Sequence, residues 1–185
     1  MLLRSFVSMD IEDPIVRSNV ERIQKELSLT HADLKFIDPN TLHVTLLFLG
    51  DVEEALTRGI CGSLKGKELA PKRIRLEGLG FFPSAGRPSV IWLGVVSGAE
   101  ELRLAAEKVA DLLKPFGFAP ESRGFQSHIT IARLRSGRNK EELVEKAREL
   151  SQEPMGEVIT STVRLKKSTL TPKGPIYETI CEALS

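Results

Sequence analysis

Only two of the 185 residues are cysteine and only three are histidine. Cys61 and Cys181 have no CxxC spacing and no neighbouring histidine, so they do not form the paired thiolates of a zinc site, and two reduced, mostly buried thiols are expected. There is no HExxH, and zinc normally takes three or four protein ligands. A two-histidine metal site is the natural competitor to acid–base chemistry. It is poorly supported, because no acidic residue shares the histidines' frame. Excess charge of one sign is also missing. A net charge of +1 argues against a non-specific nucleic-acid coat and leaves room only for local basic patches. No apolar run approaches the ~20 residues of a membrane span, and "MLLRSFVSMDIED" lacks the apolar core and cleavage site of a secretory signal. The expectation is a soluble, cytoplasmic monomer with no cofactor, no metal, no membrane and no obligate protein partner.

What is present is an ordinary globular composition. Hydrophobic residues make up 41% and charged residues 28%, enough apolar material for a core and too much for general disorder. "LLRSFVSMDI" reads as a strand, and Asp13-Pro14 opens a helix with Val16, Val20, Ile23 and Leu27 on one face. "LKFID" is extended and "TLHVTLLFLG" is a strand. Asp51 with Glu54 then resembles a capping box for a second helix that stops at Gly66. "KRIRLEGLGFF" is a strand, "PSAGRP" a turn-rich loop and "SVIWLGVV" another strand. The pattern then repeats: a helix carrying Leu102, Ala105, Ala106, Val109, Leu113 and Phe116, the strand "FQSHITIARL", the helix "NKEELVEKAREL", the strand "EVITSTVRLKKSTL", the turn "TPKGP" and a last strand over 175–183. Residues 3–80 and 89–168 share one element order at a steady offset (128 − 43 = 85 for the histidines). The expected fold is α+β and bilobal in a single domain over 1–185. Two pseudo-twofold lobes, each a mainly antiparallel sheet with two helices, would be joined around "FFPSAGRP".

Two of the three histidines sit in one four-letter frame, His43-Val44-Thr45-Leu46 and His128-Ile129-Thr130-Ile131. A single histidine would be followed by apolar–Ser/Thr–apolar about one time in fifty. Taken alone, such a pair is more often a hydrogen-bonded, half-buried one. Two at matched places are not an ordinary accident. Strict alternation along the strands puts His43, Thr45, Leu47 and Leu49 on one face with Val44, Leu46 and Phe48 on the other. In the same way His128, Thr130 and Ala132 oppose Ile129 and Ile131. Two imidazoles near neutrality can accept and donate protons, and two hydroxyls suit an oxyanion with several oxygens, phosphate above all. The third histidine, His31, lies in the loop-like "SLTHADL" and is read as structural or solvated.

These motifs resemble the two-histidine phosphoesterases, and most closely their RNA 2',3'-cyclic phosphodiesterase branch, also called 2'-5' RNA ligases. The resemblance runs through "KFIDPNTLHVTLLFLGDV", "GFFPSAGRPSVIWLGV", "FQSHITIARL" and "LKKSTLTPKGPIYETI", which is nearly the whole chain. It departs at Ser127, where family members often carry proline. The resemblance implies a bilobal fold with a central cleft. It also implies metal-independent opening of a 2',3'-cyclic phosphate to a 2'-phosphate, and in some members 2'-5' joining of RNA ends. It makes His43 the proton donor to the departing 3' oxygen, His128 the base that activates water, and Thr45 and Thr130 the holders of the phosphate oxygens. RNA ends or small cyclic nucleotides are the implied partners. The alternatives are a non-catalytic nucleotide- or RNA-binding module of the same fold, or a phosphodiesterase for another small cyclic phosphate.

Further candidates are weaker. Arg133 could contact phosphate, but strict alternation turns it away from His128, so that role needs a bulge or the strand end. The basic runs "KRIR", "RLRSGRNK" and "RLKK" could hold an RNA backbone or be solvated faces. Tyr177, Phe81 and Phe82 could stack on bases or pack in the core.

Overall fold

The computed structural model describes residues 1–120, 124–159, 162–172 and 174–183. Within them the chain forms β1 (Leu2–Asp10), α1 (Pro14–Ser28), β2 (Leu34–Phe36), β3 (His43–Glu53), α2 (Glu54–Leu64), β4 (Arg73–Ser84), β5 (Arg87–Ser97), α3 (Ala99–Leu113), β6 (His128–Leu134), α4 (Lys140–Glu149), β7 (Pro154–Ile159), β8 (Val163–Thr171) and β9 (Gly174–Ala183).

The local signals act as read. The Asp13 carboxylate accepts from Ile15 N and Val16 N at 2.9 and 3.0 Å, so the first turn of α1 has its donors satisfied. Val16, Val20, Ile23 and Leu27 are fully buried beneath it. In α3 the stripe of Leu102, Ala105, Ala106, Val109 and Leu113 is buried in the same way. The second helix differs from expectation. β1 offers pairing partners as far as Leu2↔Glu53, so β3 runs on through Gly50. Asp51 is a strand residue, and α2 starts at Glu54 without a side-chain cap.

Two antiparallel sheets carry the fold, ordered β3-β1-β8-β9 and β2-β6-β5-β4-β7. Helices α2 and α3 pack against the first sheet, α1 and α4 against the second, and one continuous apolar core fills the space. The expected bilobal α+β layout is present, but the two halves of the sequence do not fill the sheets in turn. "FFPSAGRP" is a hairpin inside the second sheet, with Ser84 opposite Arg87, rather than a joint between lobes. A two-residue turn makes β4 and β5 neighbours at minimal entropic cost. In exchange the second half sends β8 and β9 to the first sheet. The expected single strand "EVITSTVRLKKSTL" is therefore two strands, β7 and β8, in different sheets. Its residues 160–161 lie outside the described residues, as do Lys173 of the expected turn and Leu184 beyond the last strand.

The cysteines are a correction. Cys61 of α2 and Cys181 of β9 form a disulfide, with their Cα atoms 6.1 Å apart. The packing of α2 on β9 brings together two residues 120 apart in sequence, a proximity that spacing alone does not reveal.

Candidate active site

The topology places the two HxTx strands against each other. β3 is the outer strand of the first sheet and lies next to β6 of the second. Both strands carry an extra residue at the same point, and β3 carries a second at Leu49. Thr45 pairs with Ser8 and Leu47 with Val7, which leaves Leu46 unpaired. Thr130 pairs with Trp92 and Ala132 with Ile91, which leaves Ile131 unpaired. A bulge resets which face the following side chains occupy. Leu46 and Leu47 are therefore both buried, as are Ile131 and Ala132. Phe48 and Arg133 swing back to the histidine side. This corrects strict alternation at Leu47, Phe48, Leu49 and Ala132, and it supplies the bulge that Arg133 needed. The second bulge is held by its own carbonyl: Ile131 O accepts from Ile37 N at 2.9 Å and from the buried Gln24 Nε2 at 3.0 Å.

A cleft of about 460 Å³ results. His43, Thr45 and Phe48 line it from β3, His128, Thr130 and Arg133 from β6, and Arg4, Lys35, Ser168 and Tyr177 from other strands. All six residues singled out as site candidates are thus in one place. Both rings are oriented identically. His43 Nδ1 donates to Thr41 O at 2.8 Å, and His128 Nδ1 donates to Gln126 O at 2.7 Å. A carbonyl only accepts, so in each neutral ring the hydrogen sits on Nδ1 and Nε2 is the basic nitrogen. Aromatic rings bracket each imidazole. Phe6 and Tyr177 lie 5.1 and 5.2 Å from His43, centroid to centroid. Phe82 and Trp92 lie 4.8 and 6.4 Å from His128. Trp92 itself is seated on Gly80, where a Cβ would come within 2.2 Å of the indole.

Burial lowers the pKa of His43 from its ordinary value, and the nearby Lys166 and His128 push the same way. The hydrogen bond to Thr41 and the Asp10 carboxylate oppose them. Lys166 is only 7% exposed and donates to Asp10 at 2.6 Å, and Asp10 is the register partner of His43. Asp10 is in turn held by Arg164 at 2.7 Å. Burial raises the pKa of Tyr177, with Arg133 and Arg4 pulling it back. Tyr177 therefore remains a phenol donor at neutral pH.

Arg4, Lys35 and Arg133 give the cleft positive charge, and no carboxylate is among its described lining residues. These cations come mostly from isolated positions. Several cations of the runs that looked basic in sequence are engaged elsewhere: Arg164, Lys166 and Lys167 pair with carboxylates, and Arg73 pairs with Glu157. From "RLRSGRNK" only Arg133 lines the cleft. Sequence reading missed Arg4, Lys35, Phe48 and Ser168, and the only signal for Phe48 was its matched distance after His43. Phe81 packs against the core, Phe82 faces His128, and His31 sits in a turn at φ 54°. Among the described residues no group of three or more His, Cys, Asp or Glu could hold a metal ion, and no helix is long and apolar enough to cross a membrane.

Two oriented imidazoles, two threonine hydroxyls and a cationic wall are the parts of an acid–base site for a phosphoryl group. Comparison with known proteins agrees. The model of the LigT-like phosphoesterase family matches residues 11–92 and 93–177, and the chain belongs to that family. It is 41% identical to the RNA 2',3'-cyclic phosphodiesterase of Archaeoglobus fulgidus, covering 95% of this chain and 97% of the relative. It is 39% identical to the protein of the same name from Aeropyrum pernix, covering 87% and 92%. The crystal structure of TT0787 from Thermus thermophilus superposes with a TM-score of 0.78 at 27% identity, covering 98% of this chain and 97% of that one.

Proposed function

We propose that the protein hydrolyses RNA ends carrying a 2',3'-cyclic phosphate to 2'-phosphomonoesters, by paired histidine acid–base catalysis without a metal or cofactor. The observation that carries this is the meeting of His43 and Thr45 from one sheet with His128 and Thr130 from the other in a single cationic cleft. The names of the relatives supply the cyclic phosphate as substrate.

In the proposed reaction a water oxygen attacks phosphorus while His128 Nε2 takes its proton. The bond from phosphorus to the 3' oxygen breaks on the opposite side, and His43 Nε2 delivers a proton to that oxygen. Thr45, Thr130 and Arg133 hold the non-bridging oxygens, and Tyr177 offers its hydroxyl or its ring to the nucleotide. His43 must be charged to act as the acid, whereas burial favours its neutral form. The bound phosphate anion offsets that penalty by favouring imidazolium. Each histidine would supply about 10²–10⁴ in rate. A role on RNA ends fits a cytoplasmic protein, with nucleic acid rather than a protein as its partner.

Product analysis tests this. An RNA ending in 2',3'-cyclic phosphate, incubated with the protein in EDTA, should yield the 2'-phosphate. A 3'-phosphate product, or activity that disappears with the chelator, overturns the proposal.

A further inference from the structure

A second cavity, of about 540 Å³, shares no lining residue with the catalytic cleft. The partition between them is built around His128. Phe82 and Trp92, whose rings stand against that imidazole, belong to the wall of the second cavity, as do Gln126 and Ser127, which immediately precede it. Phe125, Ala99, Glu100 and Arg103 belong to the same wall.

The chemistry of this wall differs from that of the cleft. Arg103 donates to both carboxylate oxygens of Glu100, at 2.8 and 2.6 Å, and is also paired with Glu107. Among its described lining residues the cavity therefore has no spare positive charge for a phosphate. It offers instead three aromatic side chains and the amide of Gln126. Aromatic faces stack on bases, with the loss of one such contact typically costing about tenfold or more in binding. An amide can both donate to and accept from base edges.

Position decides which base. In an in-line displacement the entering and leaving oxygens lie on opposite sides of phosphorus. With His43 serving the leaving 3' oxygen, the entering oxygen is on the His128 side, next to this cavity. We infer that the Phe82–Trp92–Phe125 cavity is a subsite for the nucleoside of an incoming RNA strand, whose 5'-hydroxyl replaces water. This inference rests on the proposed reaction and its assignment of the two histidines. The step balances: His128 takes the proton of the 5'-hydroxyl, its oxygen forms the new bond to phosphorus, the bond to the 3' oxygen breaks, and His43 protonates that oxygen. A 2'-5' linkage and a free 3'-hydroxyl result.

The test mixes a cyclic-phosphate-ended RNA with an oligonucleotide bearing a 5'-hydroxyl and measures joined against hydrolysed product. Phe125→Ala should lower that ratio about tenfold, Phe125→Tyr should restore it, and Ala99→Phe, which fills the cavity, should lower it too. Hydrolysis of 2',3'-cyclic AMP should change less than about twofold in all three. Trp92 is the only tryptophan, so its fluorescence gives a readout independent of turnover. The dinucleoside monophosphate ApA should quench it, with affinity about tenfold weaker in Phe125→Ala. If cyclic phosphates are not hydrolysed at all, the proposed function fails while the quenching still decides the subsite. No joined product and no quenching overturns the inference. So does an equal loss of joining and hydrolysis in Phe125→Ala. Loss of a preference for dinucleotide over mononucleotide cyclic phosphates also overturns it, by assigning the cavity to the donor strand.

Discussion

Phe48 and Arg133 are separated by the same 85 residues as His43 and His128 (133 − 48 = 85), and each is turned into the cleft by an unpaired residue two places before it. The two strands thus share one backbone irregularity and differ in what it presents. One gives an aromatic ring, with the Arg4 guanidinium 4.9 Å above it. The other gives a cation. The two histidine–threonine pairs match, while the side chains that flank them do not.

That asymmetry makes Arg133 the side chain on which phosphate binding should depend most after the threonines. A hydrogen bond to a charged group contributes about 1.5–3 kcal/mol. Arg133→Ala should therefore lower kcat/KM by about 10- to 100-fold, with partial recovery in Arg133→Lys. Phe48→Ala should act mainly on KM. Steady-state kinetics on a cyclic nucleotide checks both, and an unaffected Arg133→Ala removes the residue from the site.

The pH profile carries a second prediction. The kcat/KM profile reports groups of the free protein, where His43 must be protonated to serve as acid. One charged and one neutral imidazole give a bell-shaped profile whose limbs report the lower and the higher of the two pKa values. Burial depresses His43, with Lys166 pushing the same way. Lys166→Met removes that positive charge while Asp10 keeps Arg164 as its partner, so the limb set by His43 should move to higher pH. A profile that is not bell-shaped, or one that Lys166→Met leaves in place, contradicts the paired-imidazole account.

The Cys61–Cys181 disulfide closes a loop of 120 residues. A disulfide typically contributes about 2–4 kcal/mol, and a chain of this length loses about 2–4 °C of Tm per kcal/mol. Reduction, or the paired Cys61→Ser and Cys181→Ser changes, should lower Tm by about 5–15 °C and leave hydrolysis at 25 °C in place. A Tm indifferent to reductant contradicts the bond's structural role.

Much of this was legible in the sequence because it is local. Caps, apolar stripes and alternation gave most elements, and the duplicated frame gave His43, Thr45, His128 and Thr130. What was not legible depends on contacts between distant residues. The bulges at Leu46 and Ile131 exist because of the register against β1 and β5, so alternation misplaced Leu47, Phe48, Leu49 and Ala132. The exchange of β4 and β8 between sheets, the disulfide and the arrival of Arg4 and Lys35 are tertiary in the same sense. Local charge density misled, because Arg164, Lys166 and Lys167 meet carboxylates that are remote in sequence.

The central claim is that two histidines from two sheets act as one catalytic unit. Single-turnover rates for His43→Ala, His128→Ala and the double variant on a 2',3'-cyclic phosphate test it most directly. Groups that act together in one step are non-additive when removed. Each single change should cost about 10²–10⁴, and the double variant should be little slower than either. A double variant slower by the product of the two single losses, or one histidine dispensable, would contradict the account.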